Sequence, residues 1–312
     1  MKKKNSGKEL LQKLGTLMAL ALLVLIFCVM MPDKFPRISN IMNIFKQASI
    51  NCLIASGMLC ALITAGIDLS VGSNCVLCTC TIGVLVQNFG ITSMPLLIIA
   101  GLAVSTFAGF VNGILLTRLD LPHPFVSTLG MKNFLWGASL LVVSSQMVSG
   151  FPDGVMALGS ATIGGFPVSF IIVVVIYVIM HILLTRTSLG RSIYCAGGNM
   201  EATRLSGINA PNVLTFCYAL SGFMAALAGI VSIGRSGICN GANAIQPYDT
   251  DAIAACVIGG ASFMGGKGTM IGTMIGALII ATLRNGFTLL SIDSAVPVSY
   301  THLRAHETEL HL

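Results

Sequence analysis

The stretch Val168–Leu184, VSFIIVVVIYVIMHILL, holds no charged side chain, and its single imidazole, His181, sits near its end. A helix needs about 20 apolar residues to cross the hydrocarbon of a bilayer. A run apolar on every face, with no period-2 or period-3.6 polar stripe, reads as a helix bathed in lipid. Working outward, similar runs occupy residues 14–31, 48–66, 73–87, 94–116, 134–145, 213–233, 252–263 and 269–290. Those at 134–145 and 252–263 are short. They read as re-entrant or broken helices, which are tolerated only where protein or a lined cavity covers their backbone. The fold class is an all-α membrane protein, a polytopic transmembrane helix bundle with about nine spans or re-entrant segments.

Composition carries the same message. Of 312 residues, 55% are hydrophobic and 9% charged, and the mean hydropathy is +0.89. A soluble domain carries roughly 25% charged residues, so a soluble α/β enzyme is excluded. The 34 glycines suit helices that must approach closely without a hydrophobic drive between them. The net charge of +6 gathers at the N-terminus and in loops, a membrane-topology pattern rather than a nucleic-acid footprint. Cys75, Cys78 and Cys80 lie in a predicted span without a neighbouring His or acid. They read as small packing residues rather than metal or redox ligands.

Charge also orients the chain. The tail 1–13 carries Lys2, Lys3, Lys4, Lys8 and Lys13 and places the N-terminus in the cytoplasm. The run at 14–31 is too long for a signal peptide and lacks a small-residue cleavage site. Alternation from there puts Arg118, Lys132, Arg186, Arg191, Arg204 and Lys267 inside, against Lys34, Arg37, Lys46 and Arg235 outside. Segment 32–47 is too basic for an outer loop and is expected to form an interfacial helix. The membrane domain spans 14–290, with its longest inner loop at 185–210. Residues 291–312 form an atypical tail. Within it 299–312, SYTHLRAHETELHL, has no apolar periodicity despite His302, His306 and His311. It reads as a translated adaptor fused to a shortened gene, so the native chain is expected to continue into another span.

Three segments carry the remaining information. In Ala65–Ser73, AGIDLSVGS, an acid stands between two apolar runs, and Asp68 is placed to cap the helix that follows Ser70. Thr187–Asn209, TSLGRSIYCAGGNMEATRLSGIN, is glycine-rich but contains neither a P-loop nor a strand-linked G-x-G-x-x-G, which argues against nucleotide binding. Within it Met200–Leu205 is expected to be a short helix with Glu201 and Arg204 on one face, a docking surface. In Val257–Ala277, VIGGASFMGGKGTMIGTMIGA, paired glycines break a helix beside Lys267, and Gly272 and Gly276 form a close-packing pair.

Together these segments resemble the ribose-type permease family of ATP-binding-cassette importers. Its GGIDLSVGS hallmark is matched by Ala65–Ser73, with Ala65 for the first glycine, and its P-F-x-x-T-L-G by Pro124–Gly130. Its G-R-x-x-Y-A-x-G-G-N loop is matched from Gly190 to Ile208, with Cys195 and Thr203 where alanine is usual, and its I-G-G-x-S-x-x-G-G motif from Ile258 to Thr273. The resemblance runs in order over residues 15–290.

It implies a multi-pass protein of the bacterial inner membrane that moves a monosaccharide or similar small polar solute by alternating access. The implied partners are cytoplasmic ATPase subunits, which bind ATP and magnesium, an extracytoplasmic sugar-binding protein, and a second permease copy or homologue. The chain itself would be no enzyme and hold no cofactor. Gly190, Arg191, Asn199, Glu201, Ala202, Arg204, Ser206 and Gly207 would couple to the ATPase. Asp68, Ser70, Gly72, Gly259, Gly260, Gly265 and Gly266 would form the structural or pathway motif. The rival reading is a secondary transporter, which needs ionisable groups at mid-membrane; the predicted spans hold almost none apart from Arg284. A channel would need a repeated filter motif, and a membrane enzyme convergent acid, His or Cys groups.

Overall fold

Each apolar run overlaps a helix, and the run at 252–263 outlasts its helix by five residues. The computed structural model describes residues 4–119, 121, 123–241 and 247–291. In chain order the elements are α1 (Lys4–Met30), α2 (Ile38–Ile63), α3 (Val71–Gln87), α4 (Met94–Arg118), α5 (Pro124–Val142), β1 (Val148–Ser149), α6 (Asp153–Ser160), β2 (Thr162–Ile163), β3 (Phe166–Pro167), α7 (Val168–Arg186), α8 (Ser188–Gly198), α9 (Met200–Leu205), α10 (Ala210–Ser236), β4 (Ile238–Cys239), α11 (Tyr248–Ile258) and α12 (Met270–Leu289). Five helices, α2, α4, α7, α10 and α12, are long and apolar enough to cross a membrane, and α1 and α3 contain shorter apolar stretches.

The bundle is built around α2 and α10. On one side α10 carries α4 and α3, with α5 packed on α3; on the other α2 carries α12, α11 and α7, and α1 lies on α12. Small residues permit the close crossings. A Cβ added to Gly109 of α4 would stand 2.4 Å from the carbonyl of Tyr218, and one on Gly57 of α2 would stand 2.8 Å from Cα of Ser221. Backbone-to-backbone contact of this kind substitutes for the hydrophobic drive that lipid does not supply. Outer helices expose their apolar faces instead. α7 turns Val174, Val175, Val178, Ile179 and Ile182 outward and buries Phe170, Val173, Tyr177, Met180 and Leu184. Tyr177 takes its Oη–H to the Cys52 carbonyl, 2.9 Å away, because a buried hydroxyl in an apolar layer needs an acceptor. The C-x-x-C-x-C string is buried in α3, with Gly229 of α10 stacked on the Cys75 carbonyl.

The structure corrects three expectations. The short run at 134–145 belongs to a longer, 19-residue helix, α5, that begins at Pro124, and Lys132 lies inside it rather than in a loop. Its first turns are rich in Ser, Thr and Gly, and Ser127 and Thr128 face inward, so hydropathy alone misses them. Segment 32–47 forms no separate interfacial helix; residues 38–47 are the opening turns of α2, and Lys46 caps the carbonyl of Ser160. The glycine-rich 188–198 is a helix, α8. Lys132, Asp249 and Asp251 lie in α5 and α11, outside the five candidate spans, which does not bear against the expectation that the spans hold few ionisable groups. The helix expected at Met200–Leu205 and the broken one ending at Ile258 are both present. Residues 1–3 and the tail 292–312, with its three histidines, lie outside the described residues.

Candidate functional site

At one end of the bundle the three motif segments interlock through their backbones. Ile63, the last residue of α2, accepts a hydrogen bond from Gly266 N at 2.8 Å. A Cβ on Gly197 would lie 1.6 Å from the Ile63 carbonyl oxygen and 2.8 Å from Gly266 N, and one on Gly265 would lie 2.6 Å from the Gly197 carbonyl. Tyr194 Oη donates to the Gly268 carbonyl at 2.7 Å. Gly260, Gly265 and Gly266 have φ of 91°, 76° and 68°, a left-handed backbone that glycine enters without steric cost. Gly259 serves another contact, against Gly272 of α12, and Gly276 lies against Ala255. The expected close packing of Gly272 and Gly276 is therefore between α12 and α11.

This platform carries α8 and α9. Thr187 Oγ1 accepts from Gly190 N at 3.1 Å, and a Cβ on Gly190 would stand 2.3 Å from the Leu183 carbonyl; the chain folds back directly off α7. Arg191 faces outward. Asn199 Oδ1 caps α9 by accepting from Ala202 N at 2.9 Å. Gly207, with φ 79°, terminates α9, and Asn209 caps α10 two residues later. Thr203 points into the protein; Glu201, Ala202, Arg204, Ser206 and Gly207 are exposed, and Leu205 is 85% exposed. The ion pairs among the described residues are Lys132–Asp249 and Arg284–Asp251, so Glu201 and Arg204 are not spent on each other. α9 is thus a capped helix that exposes a leucine flanked by unpaired charges. Beside it a cleft of about 350 Å³ opens between Thr64, Ala65, Leu116, Pro124, Met200 and Arg204.

One step deeper, Asp68 ties four helices together. Its Oδ1 accepts from Ser70 N at 3.0 Å, Ser70 Oγ at 2.6 Å and Asn112 Nδ2 at 3.4 Å, and its Oδ2 accepts from Ser221 Oγ at 2.7 Å. Asn112 Oδ1 in turn accepts from Ser127 Oγ at 2.7 Å. α3 (Val71–Gln87) has no side-chain cap hydrogen bond, so the cap expected from Asp68 does not form; the carboxylate accepts instead from Ser70, just ahead of the helix, and joins α3 to α4 and α10, with α5 attached through Asn112. Every partner is a donor, which suits the ionised form of a carboxylate that is 1% exposed. Asn112, Ser127 and Ser221 escape sequence reading because each looks like an isolated polar residue in an apolar run. Gly72 is buried in the first turn of α3.

A second charged locus lies at the start of α11. Asp249 pairs with Lys132 of α5, and Asp251 pairs with Arg284 of α12 at 2.7 Å. The carboxylates are the better covered partners, at 4% and 19% exposure against 32% and 31% for the cations.

A helix bundle with five helices long and apolar enough to cross a membrane, and paired charges between its helices, has the architecture of a multi-pass membrane protein. The chain belongs to the permease family described as the branched-chain amino acid transport system / permease component, which matches residues 40–303. It is 38% identical to the ribose import permease protein RbsC of Escherichia coli K12 over 297 residues, 92% of this chain and 89% of that one. It is 36% identical to the D-allose transport system permease protein AlsC of the same organism, covering 90% and 86%. The galactose/methyl galactoside import permease protein MglC is 32% identical over 90% and 88%. No solved structure matches the chain.

Proposed function

We propose that this chain is the membrane subunit of an ATP-driven importer of a monosaccharide or a similar small polar solute, with its N-terminus and the α9 end in the cytoplasm. The observation that carries the reading is the interlock of three glycine-rich segments beneath an exposed, doubly capped α9. Backbone contact joins α8, which leads directly into α9, to the end of α2 and the α11–α12 connection, so a push on α9 reaches the spans through α8. Partner ATPases would bind ATP and magnesium, seat α9, and drive alternating access. An extracytoplasmic binding protein would deliver solute, and a second permease copy would complete the pathway. The sugar import permeases named above support the substrate class. The internal ion pairs favour a second reading, a secondary transporter, since such proteins keep ionisable groups at mid-membrane.

The test is uptake of labelled ribose, allose or galactose by proteoliposomes holding the chain with its ATPase and binding protein. Uptake should require ATP and survive a protonophore; uptake that needs only an ion gradient would establish the second reading. In the same system Glu201→Ala or Arg204→Glu should abolish uptake and weaken ATPase co-purification, with membrane expression unchanged. Losing one charge of a desolvated interfacial pair costs roughly 2–5 kcal/mol, whereas an exposed pair contributes about 0–1 kcal/mol to the fold.

A further inference from the structure

We propose that the Lys132–Asp249 pair is a latch that holds shut a polar seam between α5 and the half-helix α11, and that solute passes along this seam; the second clause rests on the transport reading above. α5 packs on α3 and α4, while α11 packs chiefly on α12 and α2 and only lightly on α3. Between α5 and α11 runs the ion pair of Lys132 Nζ with Asp249 Oδ2.

The chemistry of the link suits a latch rather than a permanent joint. An ion pair at this depth is costly unless both partners stay matched, and Lys132 keeps a third of its side chain exposed. An ammonium on a four-carbon stem has three donors, of which one is used here. Sugar hydroxyls can accept from such an ammonium and donate to such a carboxylate, so a passing solute can replace each partner for the other. The second pair differs in kind. Arg284 and Asp251 lie within the α11–α12 unit, whose glycines are already in backbone contact, and this pair fixes the start of α11 to its own side.

Cysteine chemistry reads the seam without any transport. Cys75 of α3 is 1% exposed and shares a buried cluster with Tyr248, the first residue of α11. Cys195 on α8 is exposed and serves as the internal control. The full chain in lipid nanodiscs is treated with a small membrane-permeant maleimide, and labelling at each thiol is followed by mass spectrometry. Lys132→Met and Asp249→Asn should each raise the Cys75 rate about tenfold, the population shift expected when a closed state loses one interaction, with Cys195 unchanged. The exchanged variant Lys132→Asp/Asp249→Lys should return to the wild-type rate, and Arg284→Met should leave Cys75 protected. Single variants within twofold of wild type, or an exchanged variant labelled as fast as the singles, would overturn the latch. Wild-type proteoliposomes that import no sugar while this labelling pattern holds would sink the transport reading and leave the latch standing.

Discussion

At Asp68 one carboxylate accepts from three side chains and one backbone amide. Replacing it with Ala would strand the Ser70, Asn112 and Ser221 donors in a layer where water cannot reach them. A buried donor left without a partner costs about 1–3 kcal/mol, so Asp68→Ala should lose several such increments. Asp68→Asn keeps one acceptor for Ser70, and the Ser221 hydroxyl can turn to accept from the new amide. Its loss should be about 1 kcal/mol. Thermal unfolding of the two variants in detergent ranks them; equal midpoints would show that the network contributes nothing beyond the bonds to Ser70.

At the level of elements, legibility follows chemistry. α7 is plain from its composition because it faces lipid and its own sequence contains all the information. α5 is misjudged because its first turns spend Ser127 and Lys132 on partners in α4 and α11, contacts that no local window can see. α8 is hidden for the opposite reason. Its glycines mark places where another backbone arrives, so a helix reads as a loop. Gly197 and Gly198 separate these causes. A methyl on Gly197 would overlap the Ile63 carbonyl, whereas nothing lies within 4 Å of one on Gly198. Gly197→Ala should therefore collapse the yield of folded protein in membranes, and Gly198→Ala should accumulate normally, as judged by fluorescence-detected gel filtration. Equal yields would mean that α8 can shift off α2 at little cost. Motif matching located the α9 platform, since its parts are contiguous strings; the Asp68 network and the Lys132–Asp249 link are assembled from scattered residues and became visible only in three dimensions.

For the whole molecule, the division of labour sets the expectation. The sequence has no P-loop, and the role proposed for α9 is docking rather than nucleotide binding. The purified chain should release no phosphate from ATP above a protein-free blank, and turnover should begin only when an ATPase subunit is added. Sustained turnover by the chain alone would require a different account of what α9 does.

At the far end from α9, two strands of two residues join, Val148 beside Cys239 and Ser149 beside Ile238. Just past them a Cβ on Gly241 would stand 3.0 Å from the backbone of Ser139 and Leu140. The sheet thus ties the turn after α5 to the end of α10. If the latch proposed above opens, α5 can part from its neighbours only at its other end, and its 19 residues become a lever arm of about 28 Å with its fulcrum at β1–β4.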